Sequence, residues 1–175
     1  PFVGLSVGYY QGEGLFEDLV DHPFMITEGD VRVRPFGLLG NYRVYVWERD
    51  TLHFTQRDLT ATRSRNRGAG FSMDQKVSGS VGVWARYGVQ DARVSQFDQS
   101  GSLGVEWIGP LEFRPYDVWG IGYGVTLGGS QYLARTGFSG DEQYLEAYYR
   151  VVTRKNFHVS PDVQYIINPA GNGSQ

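Results

Sequence analysis

Histidines and carboxylates are the side chains most able to do chemistry, and this chain has 3 His and 19 Asp and Glu residues. His22, His53 and His158 are scattered, with no metal-ligand spacing, so plain polarity is their expected role. The acidic pairs Glu17–Asp18 and Asp141–Glu142 fall in expected loops. A divalent ion could sit there, but solvated charge is the simpler reading. Gly120-Ile-Gly-Tyr-Gly124 superficially matches a nucleotide fingerprint, yet its spacing is wrong and no helical pattern follows. Ser and Asp are plentiful without a nucleophile elbow. The absence of cysteine excludes disulfides, thiolate metal sites and cysteine nucleophiles. No catalytic set, metal or cofactor is expected.

The elements around these residues read as strands. The 175 residues include 24 Gly, 12 Tyr, 10 Phe and 4 Trp but only 7 Pro, a β-rich composition rather than a disordered one. A net charge of −3 without a basic block argues against nucleic acid. No window approaches 18 consecutive apolar residues, so no transmembrane helix is expected. The mean hydropathy of −0.36 suits a soluble protein, and equally a barrel in which every second strand residue faces water. The sequence opens at Pro1 without a signal peptide, so a mature product or a fragment is expected.

Period-two alternation dominates, the signature of strands with two unlike faces. Val3, Leu5, Val7 and Tyr9 oppose Gly4, Ser6 and Gly8. In Asn41–Arg49, Tyr42, Val44 and Val46 oppose Arg43, Tyr45 and Trp47. Val77–Val89 sets Val77, Val81, Val83, Ala85 and Tyr87 against Ser78, Ser80, Trp84 and Arg86. Leu103, Val105 and Trp107 oppose Ser102, Gly104 and Glu106, and Trp119–Leu127 alternates with Gly120, Gly122 and Gly124. Leu145, Ala147, Tyr149 and Val151 oppose Tyr144, Glu146, Tyr148 and Arg150. Phe157–Ile167 sets Val163 and Tyr165 against Asp162 and Gln164, with Pro161 predicting a bulge or a strand that starts at Asp162. Weaker patterns at Asp30–Phe36, with Arg32 and Arg34 on one face, and at Gly68–Asp74 bring the total to about nine strands, many near bilayer-crossing length. Helical periodicity is confined to Leu15–Val20.

A soluble sandwich or lipocalin-like barrel would alternate too. Three features favour lipid: apolar faces free of charge in the seven clear strands, outward aromatics near strand ends, and glycine-rich polar faces. Connections alternate long and short, as between outer loops and periplasmic turns, which places the start of the first strand and the turn at 153–156 on the periplasmic side. The fold predicted is all-β, an antiparallel transmembrane β-barrel.

The segment Tyr144-Leu-Glu-Ala-Tyr-Tyr-Arg, followed by Val159-Ser-Pro-Asp-Val-Gln-Tyr-Ile-Ile-Asn-Pro169, resembles the closing region of OprB-type carbohydrate-selective porins. Supporting matches are Gly109-Pro110, Arg114-Pro-Tyr-Asp117 before Gly120-Ile-Gly122, and Phe71-Ser-Met-Asp-Gln75 before Val83-Trp-Ala-Arg-Tyr-Gly88. Together they cover about residues 68–169. The resemblance implies a bacterial outer-membrane barrel of about sixteen strands, through which sugars and small polar solutes diffuse. It also implies that residues 1–175 are a partial barrel lacking the N-terminal half and the last strand, so the family's constriction residues cannot be carried over. Implied partners are outer-membrane lipid and lipopolysaccharide, the permeating sugars, and other barrel chains or a homotrimer.

The expected lumen face holds Arg32, Arg34, Arg43, Arg86 and Arg150 with Glu106, Glu146 and Asp162, together with Gln164, Tyr45, Trp47, Trp84, Tyr144 and Tyr148. Opposed charges there would hydrogen-bond hydroxyls, and rings would stack on sugar C–H faces; simple hydration and cross-strand pairing are the plainer reading. A structural or assembly role in the envelope without transport is the alternative function.

Overall fold

Alternating side chains over most of a chain lead to a sheet with one oily and one wet face, because a strand turns successive residues to opposite sides. The computed structural model describes residues 1–11, 22–60, 63–138, 140–154 and 157–172. They form strands β1 (Phe2–Gln11), β2 (Pro23–Val33), β3 (Gly40–Phe54), β4 (Arg63–Lys76), β5 (Val81–Gln90), β6 (Phe97–Ile108), β7 (Val118–Gly128), β8 (Glu142–Arg154), β9 (Phe157–Val159) and β10 (Asp162–Ile167). One short helix, α1 (Ser130–Thr136), joins β7 to β8. From β1 to β8 each strand pairs antiparallel with the next, and both β9 and β10 pair with β8. Among the described residues β1 pairs only with β2 and β10 only with β8, so the sheet has two open edges.

The register keeps each face continuous. Val7, Thr27, Val46, Ala69 and Val89 are successive cross-strand partners. So are Ala85, Leu103, Tyr123, Leu145 and Tyr165. This oily face is not packed on protein: Val3, Leu5 and Val7 are 73%, 76% and 75% exposed. Among the described residues only Val118 and Tyr132 are buried hydrophobic side chains. A soluble sandwich would cover such a face with a second sheet; a transmembrane barrel turns it to acyl chains.

Polar-tipped rings mark both margins of the oily band. At the long-loop end the Tyr87 and Tyr123 hydroxyls each donate to a glutamine on the same face, Gln99 and Gln143, at 2.7 Å. At the short-turn end Tyr42 donates to Gln75 at 2.7 Å, and Trp107 and Trp119 are directly opposed. Such rings suit the headgroup level because one edge is wet and the other dry.

Several expectations are corrected. β2 begins at Pro23 rather than Asp30 and ends at Val33 rather than Phe36, because the contiguous apolar run Phe24-Met-Ile26 carries no period-two contrast. β3 and β4 are 15 and 14 residues long, beyond the ~9–11 needed to cross a bilayer. Their extra length was masked by a register shift between Arg49 and Leu52 and by Arg63-Ser-Arg-Asn-Arg67, which has no apolar member. Glu48, within the expected Asn41–Arg49 strand, lies on the oily side next after Val46, so the face expected to lack charge carries one at the end of the band. Val77 belongs to a turn, where the Ser78 hydroxyl accepts from the amides of Ser80 (3.2 Å) and Val81 (2.9 Å), and β5 starts at Val81. Helix α1 was not expected; at seven residues it offers too few periodic positions to register, and left-handed Gly137 ends it. The last expected strand is two: β9 stops at Val159, and β10 starts at Asp162, just past Pro161, whose carbonyl accepts from Tyr149 N at 3.1 Å. The acidic pair Glu17–Asp18, the Leu15–Val20 pattern and part of the 153–156 turn lie outside the described residues.

Connections at the long-loop end are tied together. Gln56, buried, donates its amide to the Arg93 carbonyl (2.6 Å) and its side chain to the Val94 carbonyl (3.2 Å). Arg135 of α1 donates to the Gln56 carbonyl (2.8 Å) and to its side-chain oxygen (3.0 Å).

At the other end, Asp117 closes the β6–β7 connection onto β8. Its carboxylate is 1% exposed and accepts from Arg114 Nε (2.7 Å), the Tyr149 hydroxyl (3.0 Å) and Val152 N (2.9 Å). The Arg114 guanidinium, then the Val152 amide and Tyr149 hydroxyl, hold this carboxyl below the usual carboxylate range despite its burial. A group whose folded pKa is depressed stabilises the fold above its ordinary value, 3.8, and loses that contribution as pH falls through the folded value. Circular-dichroism melts in detergent therefore show the Asp117→Asn variant unfolding at lower temperature than the parent at neutral pH. The gap narrows below about pH 4; equal midpoints at neutral pH would show that the clamp contributes nothing.

Candidate functional site

The wet face gathers its side chains into rows, because residues opposed across neighbouring strands lie about 5 Å apart. One row runs Asp30, Arg43, Ser72, Arg86, Ser102, Gly124, Tyr144. The next runs Arg32, Asn41, Asp74, Trp84, Gly104, Gly122, Glu146, Gln164. A third runs Gly82, Glu106, Gly120, Tyr148, Asp162, and Tyr45 and Trp47 stand opposite Gly70 and Gly68 on β4. Every expected lumen residue lies on this face except Arg34, which follows β2 and precedes the Pro35–Gly37 turn. Arg150, opposite Val118, ends the set at the short-turn end.

Charges on the face are paired sideways rather than left pointing outward. The Asp74 carboxylate joins two neighbouring strands: Arg86 Nη2 donates to its Oδ1 at 2.7 Å, and Arg43 Nη2 contacts its Oδ2. Arg86 also donates to the carbonyls of Met73 (2.6 Å) and Ala85 (2.9 Å), so its guanidinium lies down on the sheet. Asp74, missed as a site residue, sits two positions beyond Ser72 on the same strand, and continued alternation alone identifies it. Arg43, Asp74 and Arg86 are about a third or more exposed, so each pair contributes roughly 0–1 kcal/mol to stability. Their value is positional. On the other flank, the Tyr148 hydroxyl donates to Glu106 (3.3 Å), Arg150 Nη2 lies 3.8 Å from Glu106, and Gln164 donates to Glu146 (2.8 Å).

Trp84 occupies the middle. A Cβ built at Gly104 or Gly122 would meet its indole at 2.5 Å and 2.9 Å, so the ring lies flat across β6 and β7 where only glycine leaves room. Tyr45 lies over Gly70 in the same way, Tyr148 over Gly120 and Tyr144 over Gly124. The glycines expected to line a lumen thus act as seats for rings, which keeps bulky side chains from projecting into the space above the sheet. The Arg86 guanidinium stands 5.5 Å from the Trp84 ring centroid, within cation–π range. Glu146 is opposite Gly122, at the far side of the same indole. This arrangement offers a flat aromatic surface bordered by a cation on one side and a carboxylate on the other, suited to holding an uncharged polyhydroxylated molecule briefly.

Comparison with known proteins agrees with this architecture. The high-pH structure of Pseudomonas putida OprB superimposes with a TM-score of 0.82 at 20% identity, over 99% of this chain and 52% of that one. The chain therefore spans about half the length of that solved chain. No curated protein matches the sequence. The model of the carbohydrate-selective porin family, OprB, matches residues 30–175. That family is one of channels rather than enzymes, and its place is the bacterial outer membrane. This two-faced sheet, with its lipid-ready surface and ring-and-charge wet surface, belongs to the OprB family of carbohydrate-selective porins.

Proposed function

We propose that this chain forms part of the wall of a diffusion pore for carbohydrates and small polar solutes, its wet face lining the lumen. The observation that carries this reading is the Trp84 indole lying flat over Gly104 and Gly122, between Arg86 and Glu146. Such a surface stacks on the C–H face of a sugar while the flanking charges exchange hydrogen bonds with its hydroxyls. The contacts are few and open, so binding is weak enough for release, as passage requires. Among the residues expected on the lumen, Arg32, Arg43, Tyr45, Trp47, Tyr144, Tyr148, Arg150, Asp162 and Gln164 extend the same surface. Arg34 contributes only at its margin.

The open edges at β1 and β10 call for further strands, since hydrocarbon offers unpaired amides nothing. We take residues 1–175 as part of a larger barrel, completed by other segments of a longer chain or by partner chains.

In planar bilayers, sugar added to the full-length protein interrupts ion current through the pore. The Trp84→Ala variant should need roughly fivefold more sugar for half-block, the equivalent of about 1 kcal/mol of lost ring contact. A full-length protein that inserts but passes no sugar in liposome swelling would make it an envelope scaffold instead.

The Arg43–Asp74–Arg86 bridge gives a separate check. The Asp74→Asn variant leaves two adjacent guanidinium groups without their shared carboxylate, so the reversal potential in a KCl gradient should move toward anion preference while the melting midpoint changes little. An unmoved reversal potential would place this row outside the conducting path.

A further inference from the structure

The short-turn end of the wet face holds a hollow built around Gly82. The row Lys76, Gly82, Glu106 crosses β4, β5 and β6, and the glycine in the middle puts no side chain between the outer two. Two strand spacings separate their backbones, about 10 Å. Most glycines of this face seat a ring, but Gly82 does not: a Cβ built there would meet nothing nearer than 3.8 Å. The open space measures about 230 Å³, and Asn41, Asp74 and Trp84 complete its walls. A volume of that size holds roughly eight waters at their liquid density, or an organic molecule of about as many heavy atoms.

Three charged side chains border this space, Asp74, Lys76 and Glu106, and they differ in what already engages them. Asp74 is held between Arg43 and Arg86. Glu106 accepts from the Tyr148 hydroxyl at 3.3 Å, while Arg150 stands at 3.8 Å, beyond hydrogen-bond reach. An ionised carboxylate has about four lone-pair sites, so Glu106 keeps acceptor capacity. Lys76 makes no ion pair among the described residues. Its ammonium leans over Gly82, 3.9 Å from where a Cβ would stand. The hollow therefore has an open cation on its β4 side, an accepting carboxylate on its β6 side and bare backbone between. A solute of one sign gains from one wall and is repelled by the other. A molecule that carries both signs is matched by both.

We propose that this hollow is a transit site for small amphoteric solutes of the α-amino acid type, with the carboxylate on Lys76, the ammonium on Glu106 and the carbon skeleton over Gly82 beside Trp84. It adds a class of solute to the hydroxylated one. The proposal rests on the wet face lining a lumen, but not on any contact made by a sugar. Both charged walls are partly open to water, so the contacts are weak enough for release.

Influx of isotope-labelled solutes into proteoliposomes carrying the full-length protein tests this with three probes: alanine, N-acetylalanine, which keeps only the carboxylate, and alaninamide, which keeps only the ammonium. Alanine should half-saturate influx at a concentration roughly fivefold below either analogue, the margin of one exposed ion pair. Lys76→Met and Glu106→Gln should each raise the alanine value by about the same factor. Gly82→Leu, which fills the hollow, should raise it as well. Parent protein that takes up either single-charge analogue as readily as alanine overturns the proposal, and that comparison needs no variant to fold. An unchanged alanine value in a folded Lys76→Met protein overturns it too. Sugar-induced current block should be the same in Lys76→Met and the parent. Normal sugar block without charge discrimination therefore sinks this proposal alone, whereas a protein that passes neither sugar nor alanine sinks the pore reading with it.

Discussion

Backbone amides surrounded by hydrocarbon have no water to bond, so each must find its partner in the neighbouring strand. That requirement, more than any side-chain contact, organises this molecule. It joins the strands into one ladder from β1 to β10, antiparallel because direct connections link successive neighbours, and leaves side chains free to sort themselves by face alone. A soluble fold is held by a shared apolar core. Here Val118 and Tyr132 are the only buried hydrophobic side chains among the described residues, and the apolar surface is spent on the surroundings.

Freedom from a core changes what the wet face can do. Its glycines do not weaken a packed interior, because the described residues form none; they let Trp84 and three tyrosines lie flat against the backbone. Its charges settle into lateral pairs such as Arg43–Asp74–Arg86, which keep ionised groups in place with little contribution to stability. A surface built this way is both smooth and electrically patterned, with its donors and acceptors held in fixed positions.

Much of this was legible from the residues. Strict alternation located β1, β6, β7 and β8 to within a few residues and assigned nearly every side chain on them to the correct face. Pro161 announced the break that separates β9 from β10. What escaped had physical causes. Phe24-Met-Ile26 is apolar on both faces, so the first part of β2 carries no contrast. Arg63 to Arg67 is polar on both, so the start of β4 looked like loop. The seating of rings over glycines is a cross-strand relation, visible only once register pairs Trp84 with Gly104 and Tyr144 with Gly124. Arg34 falls outside β2 for a simpler reason: the strand was expected to run to Phe36 and ends at Val33.

The ties around Gln56 bear on how the mouth of such a barrel behaves. Three successive long-end connections, including α1 through Arg135, share one buried glutamine. Opening any one of these segments therefore breaks bonds to the others, so they are restrained together. The long-loop end of the sheet is thus braced as one unit by a side chain that belongs to no strand.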